Sequence, residues 1–321
     1  QIIRLGVALA VMIVFAQTKP QTLKRWSLPL FVAGVGLLVA VLLVGHVGKG
    51  AQRWLDLGFM KFQPSEVMKL AVPMAVAWFI SSHSLPPRLW HLVLGFIMCV
   101  IPTLLIAKQP DLGTSILIAA AGVFVLFMSG MSWRIIAFVA AVISAFLPVL
   151  WLFLMHDYQR QRVLTFLNPE SDPLGSGYHI IQSKIAIGSG GLEGKGYLQG
   201  TQSQLEFLPE RHTDFIFAVI SEEIGLLGVL VLLSLYLFII GRCMFIASQA
   251  QDNYSKLVAG SFTLTFFVYV FVNIGMVSGL LPVVGVPLPL ISYGGTSMVT
   301  LLAAFGVIMS VGTHKRILAA P

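Results

Sequence analysis

Charged residues are scarce in this 321-residue chain: 20 are Lys or Arg and 13 are Asp or Glu, together 10% of the sequence. Hydrophobic residues make up 57%, and the mean hydropathy is +0.90. A soluble domain of this length does not need so much apolar surface, so a soluble fold is excluded. The apolar runs are continuous rather than alternating, which disfavours a membrane β-barrel. Composition therefore predicts an all-α, polytopic integral membrane protein.

Several recognition signals are missing as well. The two cysteines, Cys99 and Cys243, lie in apolar runs, so we expect no disulfide, and no His/Cys/Asp/Glu spacing is typical of a metal site. The net charge is +7, but the basic residues are scattered among loops, so we expect anionic lipid contacts and no nucleic-acid partner. No GxxxxGK[ST] phosphate loop occurs. The lack of an internal repeat slightly disfavours an inverted-repeat transporter.

Nine apolar segments are present, and most reach the roughly 20 residues that a membrane span requires. They cover residues 2–17, 27–46, 65–82, 89–107, 112–130, 133–154, 214–246, 257–280 and 296–316. Residues 155–213 are polar and glycine-rich, which predicts a large extracytoplasmic loop within one transmembrane domain over residues 1–321. The pattern is already under way at Gln1, so we expect a further helix before it.

Orientation follows from the short loops, because cytoplasmic loops are rich in Lys and Arg. With residues 155–213 outside, the inner loops hold nine basic residues against one acid, Asp252. These basic residues are Lys19, Lys24, Arg25, Arg88, Arg134, Arg242, Lys256, Lys315 and Arg316. The C-terminus is therefore predicted to be cytoplasmic.

The outer face collects the candidate site residues. Glu66 and Lys69 are three apart at a helix start after Pro64, so they share a helix face. They are either an ion pair at the interface or a charge pair lining a cavity that opens outward. Asp111, in QPDLGTS, is favoured as a cap of the following helix.

The long loop has basic residues and glycines that suit an anionic ligand. The basic candidates are Arg160, Arg162, Lys184, Lys195 and Arg211. Its YHIIQSKIAIGSGG stretch is able to form a short amphipathic helix at the interface. A loop this long is uncommon unless it is functional.

Asp214 stands where this loop meets an apolar run. Helix capping is one interpretation; a partly desolvated general base is the other. The helix N-terminus and Arg211 favour the charged carboxylate, whereas burial favours the neutral form. Glu222 and Glu223 lie deeper and need partners or a polar cavity. The stretch MVSGLLPVVGVPLPLISYGGTS predicts a re-entrant turn near the outer face.

Taken in order, these motifs resemble the SEDS (shape, elongation, division, sporulation) family, and most closely its rod-shape branch. The motifs are GAQRWLDLG, FQPSE, QPDLGTS, MHDYQRQRV, DPLGSGYHIIQSKIAIGSGGLEGKG, TQSQLEFLPERHTDFIFAV and GVPLPLISYGG. The resemblance implies ten helices, one of them preceding Gln1. It also implies a peptidoglycan glycosyltransferase that polymerises lipid II at the outer face of the bacterial cytoplasmic (inner) membrane, during cell elongation.

Site roles follow from the same resemblance. The family's essential aspartate matches Asp214, which we interpret as the base, and its functional glutamate and lysine match Glu66 and Lys69. The aspartate of QPDLGT matches Asp111. We expect Arg53, Arg211 and Lys184 to contact the anionic substrate. No tightly bound cofactor is expected, although a divalent cation (Mg²⁺ or Mn²⁺) is able to accompany the pyrophosphate.

The implied partners are lipid II, the nascent glycan strand, a class B penicillin-binding protein and other elongation-complex proteins. The main alternative is a lipid II flippase or polyprenyl-lipid transporter, for which Glu222 and Glu223 are the best support. A third is a structural scaffold of a wall-building complex. The gathering of ionisable groups on one face favours the enzyme.

Overall fold

The computed structural model describes residues 2–48, 51–56, 61–155, 157–171, 176–205, 207–208 and 210–314. These residues are mostly α-helical. The helices are α1 (Ile2–Gln17), α2 (Pro20–Val44), α3 (Pro64–Ser81), α4 (Leu89–Ala107), α5 (Leu112–Met128), α6 (Trp133–Val149), α7 (Asp157–Leu167), α8 (Ser176–Ser189), α9 (Thr201–Gln204), α10 (Ile216–Ser248), α11 (Asn253–Val277) and α12 (Gly295–Thr313). A π-helical turn, Leu150–Leu154, extends α6, and a 3₁₀ turn, Pro169–Ser171, follows α7.

Each of the nine predicted apolar segments coincides with a helix, which confirms the all-α, polytopic prediction. Five helices in the described part of the chain are long and apolar enough to cross a membrane: α2, α4, α10, α11 and α12. Shorter apolar helices are Ile2–Gln17, Leu112–Met128 and Trp133–Val142. Large side chains on α10 such as Phe238 (72% exposed) and Leu237 (65%) face outward. Such an apolar surface fits lipid rather than water, and the protein is a multi-pass membrane protein.

A small β-ribbon between α2 and α3 was not anticipated from the sequence. Its strands are β1 (His46–Gly48), β2 (Ala51–Asp56) and β3 (Lys61–Phe62), paired antiparallel in the order β1-β2-β3. The segment is short and lacks the alternating apolar pattern that predicts strands. Pairing nevertheless satisfies backbone groups that the connection would otherwise leave open.

The structure divides into two compact units. A single domain over residues 1–321 stays a prediction. The first unit comprises Gln1–Gly130, Phe238–Val268 and Gly294–Pro321. In it α1 packs on α12, α2 on α3, and both α3 and α4 on α5. Gly122 of α5 lies against the Cys99 side chain, and small residues allow such close helix approach. Cys99 and Cys243 are buried free thiols, which confirms the prediction of no disulfide.

The second unit comprises Met131–Leu237 and Tyr269–Tyr293. The predicted 155–213 loop is largely helical within it, carrying α7, α8 and α9. The helix expected in YHIIQSKIAIGSGG is confirmed as α8, and the Ser183 hydroxyl ties it to the Val277 carbonyl (2.8 Å). The non-helical segment after α11 is buried only in part: Val286 and Leu288 are 2% and 1% exposed, whereas Leu280 and Leu290 are 73% and 41% exposed. Its buried part agrees with the rule that irregular backbone at membrane depth must be covered by protein.

Candidate active site

Asp214 lies in the turn that leads into α10 and is half-buried. Its carboxylate lies beside Gly285, where an added Cβ would stand 3.4 Å from Asp214 Oδ2. Gly285 has a φ of 71°, a conformation that residues with side chains rarely adopt. A glycine therefore keeps the space beside the carboxylate open.

The backbone around Asp214 is held by its carbonyl groups. The three successive carbonyls of residues 212 to 214 each accept a hydrogen bond. Their donors are, in order, the Tyr293 N–H (2.7 Å), the Ser292 hydroxyl (2.6 Å) and the Asn273 side-chain amide (2.9 Å). Because the turn is anchored at each of these peptides, the direction in which the Asp214 side chain leaves the backbone is fixed.

Arg211 lies three residues before Asp214 in the same turn and is only partly exposed. One terminal nitrogen of its guanidinium, Nη1, donates to the Ser203 carbonyl, and its Nε lies 3.3 Å from His212 Nε2. A guanidinium has five N–H donors in a planar fork, a geometry that suits an anionic ligand. The structure thus places the predicted cation Arg211 in the same turn as Asp214.

Glu222, on α10, is fully buried, with 0% exposure. Its Oε1 accepts from Lys195 Nζ (2.8 Å), the Gln202 N–H (2.9 Å) and the Thr201 hydroxyl (3.2 Å). Its Oε2 accepts from the Ser203 N–H (3.2 Å). The partners that the sequence required for this acid therefore come from the long loop. Lys195 is its ion-pair partner, and contact of Lys195 with substrate stays a prediction.

A break in α10 receives the loop that carries Lys195. Gly225 has φ 70° and ψ −169°, which interrupts the helix and frees backbone groups on both sides. Four backbone hydrogen bonds then join the two segments: Lys195 N–H to the Glu222 carbonyl (3.0 Å), Gly196 N–H to Glu223 (2.9 Å), Leu226 N–H to Gly191 (3.0 Å) and Leu227 N–H to Leu192 (3.1 Å). A Cβ at Gly194 would overlap the Glu223 carbonyl, so glycine is needed for this docking.

Glu66 and Lys69 form the predicted pair in the first unit. Lys69 Nζ lies 2.7 Å from Glu66 Oε1, and the two side chains are only 11% and 10% exposed. The second oxygen, Oε2, accepts from the Thr300 hydroxyl (2.8 Å). Both carboxylate oxygens are thus engaged in a low-dielectric setting, where ion pairs are strong but costly to break.

Arg53 and Asp111 are also brought together in the first unit. Arg53 Nε lies 3.8 Å from Asp111 Oδ2, and the guanidinium donates to the carbonyls of Gln109 (3.3 Å) and Pro110. Asp111 caps α5, since its Oδ1 accepts the Thr114 N–H (3.3 Å). The capping interpretation is confirmed, while contact of either residue with substrate stays a prediction.

The remaining basic candidates differ in their surroundings. Lys184 is exposed, and the end of its side chain lies over Gly279. Arg160 instead donates to the carbonyls of Trp151 (3.0 Å) and Leu152 (2.9 Å), a structural role at the end of α6. The Arg162 side chain is outside the described part.

Three polar residues were not anticipated from the sequence: Asn273 in α11, Thr300 in α12 and Ser292 in the non-helical segment before α12. A lone Asn inside an apolar run, as at position 273, is a signal that was available, since polar groups in membrane segments require partners. Which carbonyls it binds was not readable, because they are distant in sequence.

The described acids do not gather into a metal site. Among the described residues no group of three or more His, Cys, Asp or Glu side chains is placed to hold an ion. Glu222, the most buried of the acids named above, has both oxygens occupied by protein donors. The described acids therefore do not form a metal site made of protein ligands alone, and a divalent cation held through a pyrophosphate stays a prediction.

The sequence is similar to known proteins over almost its whole length. The family model described as "Cell cycle protein", for FtsW, RodA and SpoVE, matches residues 1–317. The chain is 59% identical over 315 residues to the peptidoglycan glycosyltransferase MrdB of Escherichia coli K12, covering 98% of this chain and 85% of that protein. It is 39% identical to a probable peptidoglycan glycosyltransferase FtsW of Trichlorobacter lovleyi, covering 92% and 78%.

Two solved structures resemble it closely. A chain of a peptidoglycan synthase complex, studied for the coordination of polymerization and crosslinking, aligns with a TM-score of 0.83 and 34% identity, covering 97% of this chain and 87% of that one. The crystal structure of the rod shape determining protein RodA of Thermus thermophilus aligns with a TM-score of 0.71 and 28% identity, covering 97% and 86%.

Proposed function

The chain belongs to the FtsW, RodA and SpoVE family of cell cycle proteins, and from this premise we propose that it polymerises lipid II with Asp214 as the general base. It is a peptidoglycan glycosyltransferase embedded in the membrane. The observation that carries the assignment of Asp214 is its anchored turn, in which three successive carbonyls are bound and a glycine lies against the carboxylate.

The reaction joins two sugars. The acceptor hydroxyl on N-acetylglucosamine attacks the anomeric carbon of N-acetylmuramic acid on the donor. The bond from that carbon to the pyrophosphate oxygen breaks, and undecaprenyl pyrophosphate leaves with the bonding electron pair. Asp214 accepts the hydroxyl proton. One direct displacement needs one base and inverts the anomeric centre, whereas a retaining glycosidase uses two carboxylates.

The base must be near its proton donor, and a positioned base contributes about 10²- to 10⁴-fold to rate. Asp214 meets the requirement for a fixed direction, because its peptide is bound by Asn273 and the preceding ones by Ser292 and Tyr293. Arg211, in the same turn, is the cation proposed to offset negative charge as pyrophosphate departs.

For the first unit we propose a role in holding lipid II. Lys69 is largely buried against Glu66, so its ammonium is pre-oriented rather than mobile. Arg53 keeps part of its guanidinium exposed, with a side chain that is 33% accessible. Both are suited to bind diphosphate oxygens, and a divalent cation is proposed to accompany the diphosphate. Within the second unit, the exposed Lys184 is a separate candidate for contact with an anionic group.

The flippase alternative loses one of the two acids that supported it. Both carboxylate oxygens of Glu222 accept hydrogen bonds from the long loop, which includes Lys195. The carboxylate is therefore not available to line a transport path. We propose that glycan synthesis takes place at the periplasmic face of the inner membrane, and the charge pattern of the loops supports this. A synthase-complex relative in which polymerization and crosslinking are coordinated supports a crosslinking partner, which we propose is a class B penicillin-binding protein.

The test uses the purified full chain with its transpeptidase partner and labelled lipid II. Asp214→Asn is compared with Asp157→Asn, an acid on α7 that is fully exposed and paired with Arg160 at 3.7 Å. We expect Asp214→Asn to lower glycan strand formation by about 10²-fold or more, while Asp157→Asn retains it. Folded Asp214→Asn protein with activity within about twofold of the parent overturns the assignment.

A further inference from the structure

We propose that Glu222 is a positioning residue of this transferase, which holds the Arg211 guanidinium in place through the short helix α9. The inference rests on the proposed function of the Arg211–Asp214 turn. It assigns a role to the most buried of the described acids, which takes no part in the proton transfer proposed above.

The Glu222 carboxylate is fully buried and needs compensating donors. An ionised carboxylate with 0% exposure is tolerated only where donors compensate for the lost water. Glu222 has four such donors, and two of them are backbone N–H groups, those of Gln202 and Ser203. These belong to the first turn of α9, where N–H groups lack partners within the helix. Glu222 therefore acts as the N-terminal cap of α9 from a distant helix.

Helix α9 is too short to be stable by itself. α9 contains four residues, Thr201–Gln204, and a helix of one turn is not stable alone because nucleation is unfavourable. The cap at Gly200 makes no side-chain hydrogen bond of its own. A Cβ at Gly200 would lie 2.8 Å from Glu222 Oε2, so the carboxylate packs directly on this cap. The position of α9 thus depends on Glu222.

Helix α9 is hydrogen-bonded to the turn that contains Arg211 and Asp214. Arg211 Nη1 donates to the carbonyl of Ser203, whose N–H is bound by Glu222. A single residue, Ser203, therefore connects the buried carboxylate of Glu222 to the Arg211 guanidinium. On its other side the turn is held by Asn273 and Ser292, which do not involve Glu222. Loss of Glu222 should displace Arg211 while leaving the Asp214 backbone anchored.

This asymmetry sets the expected kinetics. Arg211 is proposed to act on charge that develops as pyrophosphate leaves, so its misplacement should lower turnover more than substrate binding. We expect Glu222→Gln to reduce turnover at saturating lipid II by about 10- to 100-fold. The lipid II concentration for half-maximal rate should change less than about threefold, as for an interaction made mainly in the transition state.

The neighbouring acid supplies the matched control. Glu223 is 8% exposed, and its side chain makes no hydrogen bond or ion pair with the described residues. Glu223→Gln removes the same charge one position along the same helix, and its turnover should stay within about twofold of the parent. Folding of each variant is checked by gel filtration and thermal unfolding of the intact chain with its partner.

A double-mutant cycle separates positioning from general structural damage. If Glu222 acts through Arg211, adding Glu222→Gln to Arg211→Ala should cost less than about twofold more in turnover. Should Glu222→Gln not fold, the cycle is run with Lys195→Met, which removes the cation of the 2.8 Å pair from a side chain that is 27% exposed. The same non-additivity with Arg211→Ala is then expected.

Three results overturn the proposal: parent-like turnover of folded Glu222→Gln, equal losses in Glu223→Gln, or fully multiplicative losses with Arg211→Ala. Failure of the base assignment is seen separately, because it would leave Asp214→Asn active whatever the outcome of this cycle.

Discussion

Asn273 on α11 donates its side-chain amide to the carbonyl of Asp214, 59 positions earlier in the chain, at 2.9 Å. The same amide donates to the Val286 carbonyl at 2.7 Å. Asn273 is fully buried, with 0% exposure. One side chain thus joins the turn that contains Asp214 to the irregular segment after α11.

Asn273→Ala should weaken both the turn and the fold. Two carbonyls would lose their donor, and a buried unsatisfied carbonyl costs about 1–3 kcal/mol. We expect a lower unfolding midpoint together with loss of most lipid II polymerisation.

The control for this prediction is Asn253→Ala, at the exposed start of the same helix. Equal unfolding midpoints for the two variants would show that Asn273 does not anchor the turn.

The Glu66–Lys69 pair allows stability and activity to be separated. Removing one member of a buried pair leaves an uncompensated charge, at a cost of about 3–5 kcal/mol. Lys69→Met should therefore lower both the unfolding midpoint and polymerisation. The double variant Glu66→Gln/Lys69→Met, with no charge left to compensate, should regain most of the midpoint but not the activity.

The measurements are thermal unfolding in detergent and the initial rate at limiting lipid II. Recovery of activity in the double variant would mean that the pair is structural only. Lys108→Ala, at an exposed position of the connection between α4 and α5, serves as the charge-loss control.

Gly190 and Gly188 provide a test of loop docking. A Cβ at Gly190 would overlap the carbonyl of Ser221 on α10, whereas one at Gly188 meets nothing within 4 Å. Gly188→Ala, inside α8, should stabilise by about 0.5–1 kcal/mol through helix propensity. Gly190→Ala should instead displace the loop, lower the unfolding midpoint and reduce turnover. Protease sensitivity of the loop, compared between the two variants, reports the same effect directly; matching sensitivities would contradict the docking.

Asp111 has two separable tasks. Asn is as good a helix cap as Asp, whereas Ala at an N-cap costs about 1 kcal/mol. Asp111→Asn should therefore keep the unfolding midpoint but lose the charge that faces Arg53 at 3.8 Å. If Asp111 contributes its charge to substrate handling, the Asn variant loses polymerisation at normal stability. A fully active Asp111→Asn protein would limit Asp111 to capping α5.

Local features of the chain were readable without the structure. Nine apolar stretches predicted helices that the structure confirms, because the hydropathy of a span is a property of consecutive residues. The start of α3 at Pro64 and the cap at Asp111 were likewise readable, since caps and helix-start preferences act within one turn. The three-apart spacing of Glu66 and Lys69 sufficed to predict their contact for the same reason.

The β-ribbon and the folding of the long loop were less accessible. Residues 155–213 look polar and glycine-rich, yet most of the described part is helical. Its glycines do not mark flexibility alone: at Gly190 and Gly194 they let the loop backbone reach the broken helix α10. That requirement appears only once the partner backbone is in place.

By itself the sequence determined the membrane class, the spans, the family and the identity of Asp214 as the residue to test. The tertiary structure decided what each polar group binds: Glu222 takes donors 20 positions away, Asn273 reaches back 59, and Glu66 meets a hydroxyl 234 residues on. Span formation depends on neighbouring residues and is therefore written locally. Buried polar groups must be satisfied wherever the fold supplies a partner, so their pairing emerges only when the helices have assembled.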